Sequence, residues 1–163
     1  MAAAGRPWCG TLPTVGIFQR ILPSTLTDLA GTWAGAETLS PSPWSPGGTA
    51  RGRHTFTPAL DGTALLHDYT QERDGAVTLT GHGVWLADAD GSLAWFWFDS
   101  YGFVPPGPAR GTTPAAMEKT TPRGTQRARF DIVDHATLHH TIAVRLADAP
   151  DFAPVAEARY ARV

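Results

Sequence analysis

The chain has 163 residues, enough for one domain or one domain with a tail. Its net charge is −2, only 17% of its residues are charged, and its arginines are scattered, so electrostatics give no case for a nucleic-acid partner. One cysteine, Cys9, rules out an internal disulfide framework, and no apolar run reaches the length of a membrane span or a signal-peptide core.

These exclusions leave a soluble, cytoplasmic protein with no membrane or nucleic-acid partner. The excess of Arg and Ala over Lys fits a GC-rich bacterial genome. Residues 1–12 are small and mixed. From Pro13, the residues Ile17, Phe18, Ile21 and Leu22 fall on one helical face, and Pro23 ends the run. Ser24 is placed to cap a second short turn through Leu29. Residues 1–27 therefore form an extension with a short helix, ahead of one domain over 28–163.

Gly31–Ser40 is the first strand. Its period of two puts Trp33, Gly35, Glu37 and Leu39 on one face, with Trp33 expected at a barrel floor and Glu37 at the rim. The following PSPWSPGG is a loop whose Trp44 is either an anchor or a gate. Strands then read Arg51–Pro58, Thr63–Arg73, Ala76–Ala87 and Ser92–Ser100. The turns between them carry Asp61-Gly62, Asp74-Gly75 and Asp90-Gly91. Asp-Gly favours the type I′ hairpin, which needs positive φ at both central positions, so three in a row give an antiparallel meander. The run Trp95, Phe96, Trp97, Phe98 is apolar on both faces, so one side needs a lumen and the other a cover: the N-terminal helix, or a partner chain in a homodimer. GFVPPGPARG is a Pro/Gly loop placed to act as a lid, and further strands follow near Arg110–Thr113, Ala115–Thr121, Thr125–Val133, Thr137–Ala147 and Ala153–Arg162.

GTWAGAE, the PSPW loop, LDG, DYTQERDG, GHGVW, WFDSYG and the terminal EARYARV resemble, in that order, a bacterial domain family of unassigned function related to nitrobindin and lipocalin-type barrels. The resemblance covers about residues 28–163. It implies an all-β fold: a calycin-like antiparallel up-and-down barrel of about ten strands around an internal pocket. Nitrobindin-like relatives bind haem through a histidine on the closing strand. Here that strand, FAPVAEARYARV, has no histidine, so no cofactor is carried over.

Counting outward from each Asp-Gly as a two-residue loop pairs Phe56 with His67, His54 with Tyr69, His67 with His82 and His82 with Asp99. One face then carries Phe56, His67, His82 and Asp99 in a row, beside His54 and Tyr69. The other face carries Asp68, Gly81, Gly83, Trp85 and Phe98. Titratable groups clustered among Leu65, Val84, Trp95 and Trp97 favour the first face as the lumen. The row reads in three ways: a hydrogen-bonded ladder, groups orienting a ligand, or a metal or acid–base site. His140 is in phase with Leu138, Ile142 and Val144; it is either a core-edge histidine or a replacement axial ligand for haem.

The candidate ligand-binding residues are Trp33, Glu37, His54, Phe56, His67, Tyr69, His82, Trp95, Trp97, Asp99 and His140, with no metal site and no assigned catalytic residue. The expected partner is a small apolar or aromatic ligand. The alternative is a haem or metal protein, or an enzyme, using the lumenal histidine/aspartate cluster.

Overall fold

The computed structural model describes residues 21–42, 45–102 and 107–163. The helix expected over Pro13–Leu22, apart from its last two residues, lies outside the described residues, as do Trp44 and the centre of the Pro/Gly loop. One short helix, α1 (Ser24–Thr27), precedes ten strands: β1 (Gly31–Leu39), β2 (Gly48–Ala59), β3 (Ala64–Arg73), β4 (Ala76–Ala87), β5 (Leu93–Asp99), β6 (Ala109–Gly111), β7 (Met117–Thr121), β8 (Gly124–Asp134), β9 (Thr137–Leu146) and β10 (Ala153–Arg162). Each strand pairs antiparallel with its neighbours in sequence, and β1 pairs with β10, so the sheet closes into a ten-stranded barrel of calycin-like architecture. Among the described residues no helix is long and apolar enough to cross a membrane.

Alternation sorts the side chains. On β8, Ala128 and Phe130 are buried while Arg127 and Arg129, which alternate with them, are exposed. One end of the barrel is plugged. Leu22, Leu26 and Leu29 pack in one core cluster with Trp33, whose indole N–H donates to Leu29 O at 2.8 Å. Burying side chains of this kind stabilises by roughly 1.5–3 kcal/mol each. Pro23, not Ser24, stands at the helix cap, and no side chain caps it. Arg162 of β10 lays its guanidinium over the Trp33 ring at 4.1 Å and donates to the carbonyls of Ala30 and Asp28, which locks the plug to the closing strand.

Two of the three Asp-Gly turns differ from the two-residue form. Asp74-Gly75 has φ of 52° and 78° and joins Arg73 to Ala76, as a type I′ turn requires. Asp61-Gly62 lies in a longer loop with a 3-10 turn, closed by Ala59 and Ala64, but the loop is centred on the same two residues, so Phe56↔His67 and His54↔Tyr69 pair as expected. Between β4 and β5 the loop runs from Asp88 to Ser92, and Ala87 pairs with Leu93, one step off the expected register. A bulge at Thr78 adds a second one-residue shift: Glu72 pairs with Val77 but Gln71 with Leu79. The Thr78 hydroxyl fills the gap by donating to the Gln71 side-chain oxygen at 3.2 Å.

These two shifts turn β4 over relative to expectation. His82 pairs with Asp68 and Phe98 rather than with His67 and Asp99, and points outward. Val84 goes out with it, and Trp85, expected outside, is fully buried within. The outer side of β5 carries Phe96 and Phe98, and Phe98 is half exposed.

Candidate functional site

The lumen holds three histidines. His54 (β2), His67 (β3) and His140 (β9) are buried, and the His54 ring centroid lies 5.0 Å from that of His67 and 5.3 Å from that of His140. His54 Nδ1 and His67 Nε2 are hydrogen-bonded at 2.7 Å. His67 stacks on Phe56 and His140 on Phe130, each at 4.1 Å. Burial in this aromatic wall holds all three rings below the usual histidine pKa, with repulsion from neighbouring histidines adding to it; His140 is lowered to about 3. The rings are therefore neutral at pH 7. A neutral ring has one N–H and one lone pair, so whichever of the bonded pair donates, the outer nitrogens His54 Nε2 and His67 Nδ1 present one N–H and one lone pair. Both outer nitrogens, and His140 Nε2, are buried without a partner.

Farther from the plug lies a fully partnered carboxylate. Glu37 is buried, not at the rim as expected. It accepts from Tyr69 Oη at 2.8 and 2.9 Å, from Gln71 Nε2 at 2.8 Å and from Tyr160 Oη. Its place depends on Gly52, because a Cβ there would stand 1.8 Å from Glu37 Oε1. Burial and the adjacent carboxylate raise both tyrosine pKa values well above the usual range. The network fixes Tyr69, whose ring stacks on His54 at 4.5 Å.

The third group is a run of indoles. Trp85 stacks on Trp95 at 5.0 Å, and Trp97 lies 5.3 Å beyond Trp95. Gly81 and Gly83 of β4 make this arrangement possible. A Cβ on Gly81 would stand 2.1 Å from the Trp97 ring, and one on Gly83 would stand 2.6 Å from Trp95 Nε1. Trp97 donates to Asp99 Oδ2 at 3.1 Å, whereas Trp85 Nε1 and Trp95 Nε1 are buried without partners. A cavity of about 40 Å³ lies beside Trp95 and Trp97, bounded by Met117, Lys119, Gln126 and Ala128.

Of the residues named from sequence, the lumen brings together His54, Phe56, His67, Tyr69, Trp95, Trp97 and His140, with Glu37 behind Tyr69 and Asp99 half-buried at the unplugged end. Trp33 belongs to the plug. His82 is the correction: it is exposed on the outer face, bonded to Asp68 at 2.7 Å, so the His67–His82–Asp99 row does not exist. Tyr160, Gln71, Phe130 and Trp85 were missed. Strand alternation around Ala128 and Ala158 was the available signal for Phe130 and Tyr160.

Without the row, the acid–base and metal readings lose their geometry. Among the described residues no three His, Cys, Asp or Glu side chains are arranged to hold a metal ion. Nor do the residues fit a haem. The His140 ring is stacked against Phe130, and a 40 Å³ cavity is far below the several hundred Å³ of a cofactor pocket.

The architecture is shared with solved proteins. The barrel superposes on Rv2717c from M. tuberculosis with a TM-score of 0.61 at 15% identity, covering 87% of this chain and 99% of that one. It superposes equally, TM-score 0.61 at 8% identity, on the S-type phycobiliprotein lyase CPES from Guillardia theta, covering 86% of this chain and 91% of that one. No protein-family model matches the sequence. No curated protein matches it either. At these identities the likeness is one of fold.

Proposed function

We propose that the barrel is a binding protein for a small, neutral, mostly apolar molecule held in the lumen. One observation carries this reading. Five buried ring nitrogens, His54 Nε2, His67 Nδ1, His140 Nε2, Trp85 Nε1 and Trp95 Nε1, have no partner inside an otherwise aromatic interior. Buried polar groups are nearly always satisfied, and each one left bare costs about 1–3 kcal/mol. A guest that accepts from the indoles and meets both ends of the histidine pair removes that cost. Neutral rings in an apolar wall disfavour a charged guest. The cavity sets its size at a few heavy atoms inside, with anything larger extending toward the end that carries Asp99 and Lys119. Trp95 and Trp97 wall the cavity itself, and we extend the guest's site from them to His54, Phe56, His67, Tyr69 and His140.

Two measurements test the reading. Crystals of the protein as purified should show density bonded to His67 Nδ1 or Trp95 Nε1. Small neutral probes such as phenol and benzamide should quench tryptophan fluorescence saturably, and a His67→Phe variant should weaken the response. Ordered water alone in the lumen, with no saturable quenching by either probe, would overturn it.

A further inference from the structure

Lys119 is the only lysine in the chain; the other 12 of its 13 Lys and Arg side chains are arginines. The arginines of the surrounding wall point outward and pair with carboxylates: Arg110 with Asp88, Arg127 with Glu118, Arg129 with Asp131. Lys119 stands two residues from buried Met117, opposite Gln126, and lines the cavity beside Trp95 and Trp97. The basic groups are thus sorted by chemistry, guanidinium outside and amine inside. A guanidinium stays protonated, whereas an ammonium taken partly out of water gives up its proton more readily, and the free amine is a nucleophile. Desolvation does lower the pKa of Lys119, with the Asp99 charge opposing it. Among the described residues no hydrogen bond or ion pair holds the amine. Asp99 itself is fixed by Trp97 Nε1–H and the Tyr101 backbone N–H.

We propose that Lys119 captures carbonyl compounds, forming a reversible imine with a short aldehyde seated against Trp95, Trp97 and Met117. The unprotonated Nζ attacks the carbonyl carbon, and a C–N bond forms as the C=O π pair moves to oxygen. Oxygen gains a proton and nitrogen loses one, giving a carbinolamine. Protonation of the hydroxyl then lets it leave as water while the nitrogen lone pair closes the C=N bond, and loss of the remaining N–H proton returns the proton consumed. Aldehyde and amine become imine and water, with no oxidant or reductant. Asp99, whose charge acts on Lys119, is the group we assign to carry the proton between nitrogen and oxygen. The cavity favours a small aldehyde, since about 40 Å³ takes only a few heavy atoms inside and anything as large as a ring would extend toward the unplugged end. This site rests on the lumen being a binding site and adds the chemical class of its guest.

The test uses the full chain with propanal and sodium cyanoborohydride at pH 7. Peptide mass mapping locates the propyl group, so that the chain's α-amine is counted separately and serves as an internal control. Lys119 should be alkylated about ten-fold or more faster than Nα-acetyl-lysine, because the cavity concentrates the aldehyde at the amine. The rate should saturate with propanal. An Ala128→Val change, which fills the cavity, should slow Lys119 without slowing the α-amine. Alkylation at the rate of Nα-acetyl-lysine, linear in propanal, would overturn the proposal. So would saturable protection by propionate with no enhanced alkylation, which would assign the cavity to a carboxylate. Phenol or benzamide binding without enhanced Lys119 reactivity would remove this inference and leave the lumen reading intact.

Discussion

His54 Nδ1 and His67 Nε2 lie 2.7 Å apart in the lumen wall, and the two neutral rings share one proton between them. Unfolding releases both rings, and His140, into water, where histidine titrates near 6.5. Their folded pKa values are lower, so below pH 6.5 the unfolded chain binds more protons and stability falls with pH. The loss runs from about 6.5 down to about 3, the folded value of His140. Each histidine contributes up to about 1.4 kcal/mol per pH unit in that window, and the three together about 4. Urea denaturation at pH 7, 6 and 5 should show this slope, and His140→Phe should make it shallower by about a third. A midpoint that stays flat from pH 7 to 5 would show that the rings are not buried neutral.

Glu37 and Gly52 form a pair that a double-mutant cycle can isolate. Gly52→Ala puts a methyl onto the carboxylate and displaces it from Tyr69, Tyr160 and Gln71. We expect a loss of about 3–5 kcal/mol, as for a buried charge deprived of its partners. In a Glu37→Ala background the same methyl should cost much less, giving a coupling of about 1–3 kcal/mol. Additive losses in chemical denaturation would contradict the contact.

Trp97 lies against Gly81, and its emission should report any group placed there. Gly81→Ala should shift the tryptophan emission to the red and cost about 1–3 kcal/mol through overpacking. Unchanged emission with unchanged stability would place the indole elsewhere.

His82 and His67 should behave oppositely. His82→Ala removes an exposed pair with Asp68 and should change stability by less than about 0.5 kcal/mol, with no effect on probe binding. His67→Ala empties a fully buried position stacked on Phe56 and should cost about 2–4 kcal/mol while weakening phenol or benzamide binding. Equal effects from the two changes would reverse the assignment of inner and outer faces on β4.

The strands themselves were legible because alternation and turn residues are local signals, and all ten appear close to the expected bounds. The β2–β3 register was legible too, since a loop centred on Asp61-Gly62 gives the same pairing whether it holds two residues or four. The face of β4 was not. It depends on one extra residue at Thr78, which carries no glycine to announce it, and on a longer Asp88–Ser92 loop that looks like a tight turn. A single step in register exchanges lumen for solvent, so His82 and Trp85 changed places while the strand's limits stayed put. Glu37 was misplaced for another reason. Its donors come from β3 and β10, and Tyr160 stands 123 residues away in sequence.

That separation also bears on how quickly the barrel assembles. Every pairing but one joins strands adjacent in the chain, and hairpins of that kind form in microseconds. The exception is the seam of β1 with β10, held by Arg162 on Trp33 and by Tyr160 on Glu37. Bringing its edges together across 123 residues costs about 4 kcal/mol of chain entropy before any contact there forms. We expect the docking of the two ends of the sheet to limit the rate of folding. Until it occurs, β1 and β10 present bare edges that another chain can pair with.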